Sequence, residues 1–186
     1  MIGGVIRQVL KLARKAGSAW RRTMISLAWP GVKLGRGVTI GAGTIIKATD
    51  GGTIEIGART AIAPRAVLVA KGGRLTIGPD GYVGDGAIVT CREQIDIGPD
   101  VLIAEYVVIR DQDHAFEDRT RPIHAQGFVT APVVIGADVW LGAKATVVKG
   151  AVIGEGAVVG AMSVATGEVP PFSVVAGQPA KVLRTR

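Results

Sequence analysis

Cysteine is nearly absent: Cys91 is the one thiol in 186 residues. This excludes an intrachain disulfide framework and a zinc site built from several thiolates, and it fits a reducing compartment. Aromatic residues are also scarce, with three Trp, two Tyr and three Phe, yet 48% of the chain is hydrophobic. The apolar surface is therefore carried by aliphatic residues and alanine. That composition argues against disorder, and in favour of many thin, similar layers over a core built on aromatic anchors. No acidic side chain precedes Asp50, whereas nine basic ones do; the remainder carries thirteen basic against fifteen acidic groups. The net charge of +7 is thus a property of the N-terminal region. No window approaches the roughly 18 uncharged apolar residues of a membrane span, and basic residues interrupt every apolar stretch where a signal peptide would need one. A cytoplasmic chain is expected, with peripheral attachment at the inner face of a membrane open to it. What is plentiful is glycine, 27 residues or roughly twice ordinary usage.

Aliphatic residues recur every six positions, in groups of three: Leu34, Ile40, Ile46; Ile56, Ile62, Leu68; Ile77, Val83, Val89; Ile97, Ile103, Ile109; Ile135, Leu141, Val147; Ile153, Val159, Ala165. A small residue often follows, as in Ile56-Gly57 and Ile97-Gly98. This period matches neither an amphipathic helix nor an uninterrupted strand. It matches a parallel β-helix in which six residues make one flat strand and a tight corner, and three such units make one triangular coil. Six coils are expected over residues 31–186. Every irregular spacing falls between groups, so insertions leave the stack at one corner. The longest runs over residues 110–134, and a tail follows over 170–186.

The pattern resembles the hexapeptide-repeat acyltransferases, whose β-helix is left-handed, and the resemblance covers roughly residues 32–184. Pro132-Val133-Val134-Ile135-Gly136-Ala137-Asp138-Val139-Trp140-Leu141-Gly142 resembles the P-V-x-I-G-x-x-V-W-[IL]-G signature of the galactoside, maltose, nodulation and polysaccharide-cluster O-acetyltransferases. Gly177-Gln178-Pro179-Ala180-Lys181-Val182-Leu183 resembles their C-terminal tail. The resemblance implies an acetyl-CoA-dependent acetyltransferase, with no metal, acting as a homotrimer on a sugar or glycan hydroxyl, with no nucleic-acid partner. N-acetylation of a nucleotide-linked amino sugar and a non-catalytic scaffold are the alternatives. A carbonic anhydrase of similar fold would need three histidines, and the chain has two.

Asp111-Gln112-Asp113-His114-Ala115-Phe116 resembles the family's D-H loop, which makes His114 the candidate general base. A sugar hydroxyl is a poor nucleophile, and imidazole, titrating near about pH 6.5, is suited to take its proton as it attacks a thioester. Asp113 is read either as the residue orienting that imidazole or as a cap on the loop backbone, and it counts with Asp85 among the candidate substrate-binding residues. At the position where galactoside-type enzymes carry an Asn, this chain reads Val83-Gly84-Asp85-Gly86, so a glycan intermediate is expected rather than a plain sugar. His124 and Cys91 are read as non-catalytic, and transfer as direct. For the coenzyme, the resemblance implies Trp140, backbone groups near Gly142, Ala143 and Ala161, and Thr166, Lys181 and Arg184, the two cations suiting its phosphates.

Residues 1–30 lie outside the repeat. Val5, Val9, Leu12, Ala16, Trp20, Met24 and Leu27 recur at helical spacing and make one apolar stripe, while Arg7, Lys11, Arg14, Lys15, Arg21 and Arg22 make the polar face. Two readings stand: an interfacial membrane anchor, or a helix packed on the first coil to cap the solenoid.

Overall fold

A computed structural model describes the backbone of residues 2–186, and the side chains of residues 8–10, 12, 13 and 15–186. Val5, Arg7, Lys11 and Arg14, read above as part of the N-terminal pattern, lie outside the described side chains.

Helix α1 (Ile2–Ala28) ends just before Pro30-Gly31. From Val32 the chain winds into a left-handed parallel β-helix of six triangular coils. Each coil gives one short strand to each of three faces. Face A runs from Val32–Leu34 through Arg74–Ile77 and Val133–Ile135 to Glu168–Val169; face B from Thr39–Ile40 through Tyr82–Val83 and Trp140–Leu141 to Ser173–Gly177; face C from Ile45–Thr49 through Val108–Arg110 to Val164–Ala165. Strand Ala180–Thr185 then folds back antiparallel on Ser173–Gly177 and ends face B.

The register follows the six-residue period. Leu34, Ile56, Ile77, Ile97, Ile135 and Ile153 stack in one column. Ile40, Ile62, Val83, Ile103, Leu141 and Val159 make the second; Ile46, Leu68, Val89, Ile109, Val147 and Ala165 make the third. Because strand side chains alternate sides, the residue two before each column member also points inward, as buried Ile54, Leu75, Ile95 and Val133 do on face A.

The small residue after each aliphatic is required by crowding rather than by backbone angle. A Cβ on Gly57 would sit 2.3 Å from Pro79 N in the next coil, and one on Gly98 2.8 Å from Ala137 N. The left-handed backbone that turns the corner falls two residues later, and there side chains are accepted: Arg59, Asp80, Asp100 and Asp138 have φ between 54 and 62°.

Helix α1 docks across the open end of the first coil. Ile40 N–H donates to Ser18 Oγ at 2.9 Å, Arg21 Nε donates to Ile40 O at 2.9 Å, and Arg22 reaches Gly35 O at 3.3 Å. Ile25 packs against the core behind them. Of the polar face read from the sequence, Arg21 and Arg22 meet the solenoid. The apolar stripe lies half a turn round the helix, away from it.

Candidate active site

The long insertion leaves the fourth coil at the corner between faces C and A. Its first residue, Asp111, turns inward and is fully buried. Its carboxylate accepts the backbone N–H of Arg92 at 2.9 Å, of Glu93 at 2.7 Å and of Gln94 at 2.9 Å. The same corner is turned in the first and second coils by Asp50-Gly51-Gly52 and Gly72-Gly73; in the third, Arg92-Glu93 turns it without glycine, and the Asp111 carboxylate gathers the amides instead.

Beyond Asp111 the chain rises as a two-stranded antiparallel hairpin, Gln112–His114 against Phe128–Thr130, with His114 opposite Phe128. Ala131 N–H donates to Asp111 O at 3.0 Å and closes its neck. At the tip, the Gln126 amide spans the loop, accepting from Asp118 N–H at 3.0 Å and donating to Asp118 O and Arg121 O at 2.8 and 2.9 Å. Successive strand side chains leave opposite sides, so Asp113 and His114 diverge. Among the described residues Asp113 bonds neither the imidazole nor the loop backbone, the two roles read for it; its carboxylate lies 3.6 Å from Lys149 Nζ of the next coil.

The exposed His114 ring packs on Phe128, centroid to centroid 4.3 Å and tilted by 35°. The Arg92 guanidinium lies over the same phenyl ring, 3.6 Å from its centroid, a cation–π contact worth about 0.5–2 kcal/mol. A chain of contacts thus runs from buried Asp111 through the Arg92 backbone and guanidinium to Phe128 and on to the imidazole. His124 sits apart in the short 3₁₀ turn Ile123–Ala125 at the loop tip.

The candidate coenzyme residues occupy other parts of the prism. Trp140 projects from face B and is exposed; with Leu102, Asp138, Val158, Val174, Arg184 and Arg186 it lines a concavity of about 440 Å³ beneath the returning C-terminal strand. Lys181 lies on that strand opposite Ala176. Gly142, Ala143 and Ala161 fall at the corner between faces B and C, one coil apart, with Met162 N–H donating to Ala143 O at 2.9 Å. The Gly142 amide is spent on Val159 O at 2.8 Å, so it is no free donor, whereas the Ala143 N–H makes no backbone bond among the described residues. Asp85 stands at the same corner in the third coil, its carboxylate 2.6 Å from Arg65. Thr166 turns the C–A corner, two coils beyond the hairpin. Within one chain, His114 and Trp140 therefore lie on different parts of the prism.

Two family models match the chain: the bacterial transferase hexapeptide (six repeats) over residues 132–167, and the hexapeptide repeat of succinyl-transferase over residues 24–48. The chain carries the hexapeptide repeat that both models describe. A Mycobacterium tuberculosis protein named as a probable acetyltransferase is 36% identical over 168 residues, which cover 90% of this chain and 56% of that one. The polysialic acid O-acetyltransferase of Escherichia coli O1:K1 is 34% identical over 122 residues, covering 63% of this chain and 38% of its own. The chain therefore spans about half or less of the length of these curated relatives. Among solved structures, a hexapeptide-repeat acetyltransferase of Vibrio cholerae, in complex with acetyl coenzyme A, matches with a TM-score of 0.57 and 28% identity, over 90% of this chain and 76% of that one.

Cys91 extends the inward column of Ala48 and Ala70 and is buried. Burial, reinforced by the neighbouring Asp111 carboxylate, pushes its thiol far above the ordinary range. A thiol that stays protonated is a poor nucleophile. Native protein is accordingly expected to resist iodoacetamide at pH 8 and to be labelled at Cys91 only after unfolding, with Cys91→Ala retaining wild-type turnover; rapid native labelling read by mass spectrometry would contradict this.

Proposed function

We propose that the chain is an acetyl-CoA-dependent O-acetyltransferase acting on a sugar hydroxyl of a glycan intermediate, with His114 as the general base. The observation that carries this reading is the hairpin that lifts the imidazole off the prism, exposed yet braced against Phe128. The relative named for polysialic acid supports a glycan hydroxyl as acceptor, and the acetyl coenzyme A bound to the Vibrio structure supports the donor.

In the proposed reaction His114 takes the hydroxyl proton as the oxygen attacks the thioester carbonyl. The tetrahedral oxyanion is met by a backbone amide, for which the open N–H of Ala143 is suited. Collapse breaks the C–S bond, the thiolate leaves, and the proton held by His114 returns to it, giving an acetyl ester and free coenzyme A. Trp140, Lys181 and Arg184 are assigned to the coenzyme, Thr166 to its edge, and Asp85 to the acceptor; Asp85 then serves as a pair with Arg65. Since His114 and Trp140 lie on different parts of one prism, the reading includes a homotrimer in which the hairpin of one copy faces the coenzyme groove of its neighbour.

The test is acetyl transfer to de-O-acetylated bacterial glycans, followed by thiol release. A product whose acetyl group is removed by mild base is expected, together with a trimer mass by light scattering. A base-stable amide would overturn the O-acetyl assignment, and a fully active monomer would overturn the shared site.

A further inference from the structure

Helix α1 is about 40 Å long at 1.5 Å per residue, and its docking inverts what a solenoid-capping helix ordinarily buries. The face that meets the first coil holds Ser18, Arg21, Arg22 and Ile25. Half a turn round, Val9, Leu12, Trp20, Met24 and Leu27 are all exposed, Trp20 at 63% and Leu27 at 72%. The polar side of the helix is already docked on the coil it sits on, so the exposed apolar stripe awaits another surface.

Charge chooses among the candidates. The helix carries six basic side chains, Arg7, Lys11, Arg14, Lys15, Arg21 and Arg22, and no acidic one; the next acid in the chain is Asp50. Self-association through this stripe would bring like-charged helices side by side. An anionic bilayer supplies an apolar phase for the stripe and opposite charge above it in one surface. Trp20, apolar with one N–H donor, is the residue type that settles at such an interface. The helix is too polar to cross: none of the described helical residues form a span long and apolar enough.

We propose that α1 lies in the plane of an anionic membrane surface, with Val9, Leu12, Trp20, Met24 and Leu27 in the interface, and holds the β-helix against the bilayer through its Ser18–Arg21–Arg22 face. This stands independently of the acetyl-transfer reading.

The experiment is co-sedimentation of the full chain with vesicles of phosphatidylcholine, with and without phosphatidylglycerol, at low and high salt. Binding is expected only to the phosphatidylglycerol vesicles, and salt should weaken it by screening. Leu12→Glu/Leu27→Glu should reduce binding by about tenfold or more, with light-scattering mass and circular dichroism unchanged, because both side chains are exposed. No binding of the wild-type chain at low salt, or equal binding to uncharged vesicles, would overturn the proposal. So would a fall in oligomer mass in the double variant, which would assign the stripe to a second copy of the chain.

Discussion

His114→Ala is expected to lower kcat by about 10²- to 10⁴-fold, the loss typical of a general base, while leaving the affinity for acetyl-CoA unchanged. The split follows from the layout. The imidazole stands on the hairpin at the C–A corner, whereas Trp140, Arg184 and the open Ala143 amide belong to face B and the B–C corner. Removing the ring deletes the proton acceptor without touching the groups assigned to the coenzyme. His124→Ala, at the loop tip, should behave as wild type in the same assay. Thiol release with an accepting glycan gives kcat, and calorimetric titration with coenzyme A gives the affinity. Full turnover in His114→Ala would remove the base from the mechanism. An equal loss in His124→Ala would mean that the whole loop, not one imidazole, is required.

The largest effect on stability is expected at Asp111. Its carboxylate satisfies three backbone N–H groups at a corner that has no glycine with which to turn by other means. Asp111→Ala takes the carboxylate from three part-buried donors; at roughly 1–3 kcal/mol for an unsatisfied buried group, and less where solvent reaches Glu93, the cost is about 3 kcal/mol. For a chain of this size that corresponds to a fall in Tm of about 6–12 °C. The effect should also reach the site, because the Arg92 amide held by Asp111 belongs to the residue whose guanidinium covers Phe128, the ring behind His114. Thermal unfolding followed by circular dichroism measures the first effect. A variant that melts with the wild type would show that solvent replaces the carboxylate at no cost.

The coil architecture was legible because it is written in a period. Each inward aliphatic meets its own copy, so a register such as Ile56–Ile77–Ile97 can be counted from spacing alone. Handedness had to come from resemblance, since a six-residue repeat closes a triangle of either hand. The glycines were legible as corner residues; their physical cause, the backbone of the next coil filling the space of a Cβ, required coordinates. At the site the histidine was legible from its motif, and its supports were not. Phe128 lies fourteen positions from His114, and only the antiparallel register of the hairpin brings them opposite one another. Asp111 left a faint signal, a corner at Arg92-Glu93 lacking the glycine of its counterparts, with an aspartate starting the insertion one coil later. Asp113 shows the limit of motif reading. Adjacency in sequence suggested partnership with His114, but strand alternation sends the two side chains apart, and Lys149 takes the carboxylate. Over the described side chains of the N-terminal helix, the spacing separates exposed Val9, Leu12, Trp20, Met24 and Leu27 from docked Arg21 and Arg22; which face would dock was not legible, since burying the apolar one is the common solution and the edge of a β-sheet offers a polar alternative.

That edge has a further consequence. In a parallel stack alternate residues of each strand present their N–H and C=O to opposite neighbours, so the first strand of face B has backbone groups aimed out of the molecule. Ile40 is that residue, and Ser18 and Arg21 occupy its N–H and C=O much as another strand would. At the far end of the same sheet the antiparallel segment Ala180–Thr185, with Pro179 before it and Lys181 and Arg184 along it, covers Ser173–Gly177. Open sheet ends are templates for head-to-tail addition, and a rotation that does not close turns such addition into a filament. With side chains posing as a strand at one terminus and a reversed, charged strand at the other, the sheet is denied axial polymerisation, and association is left to the flanks of the prism.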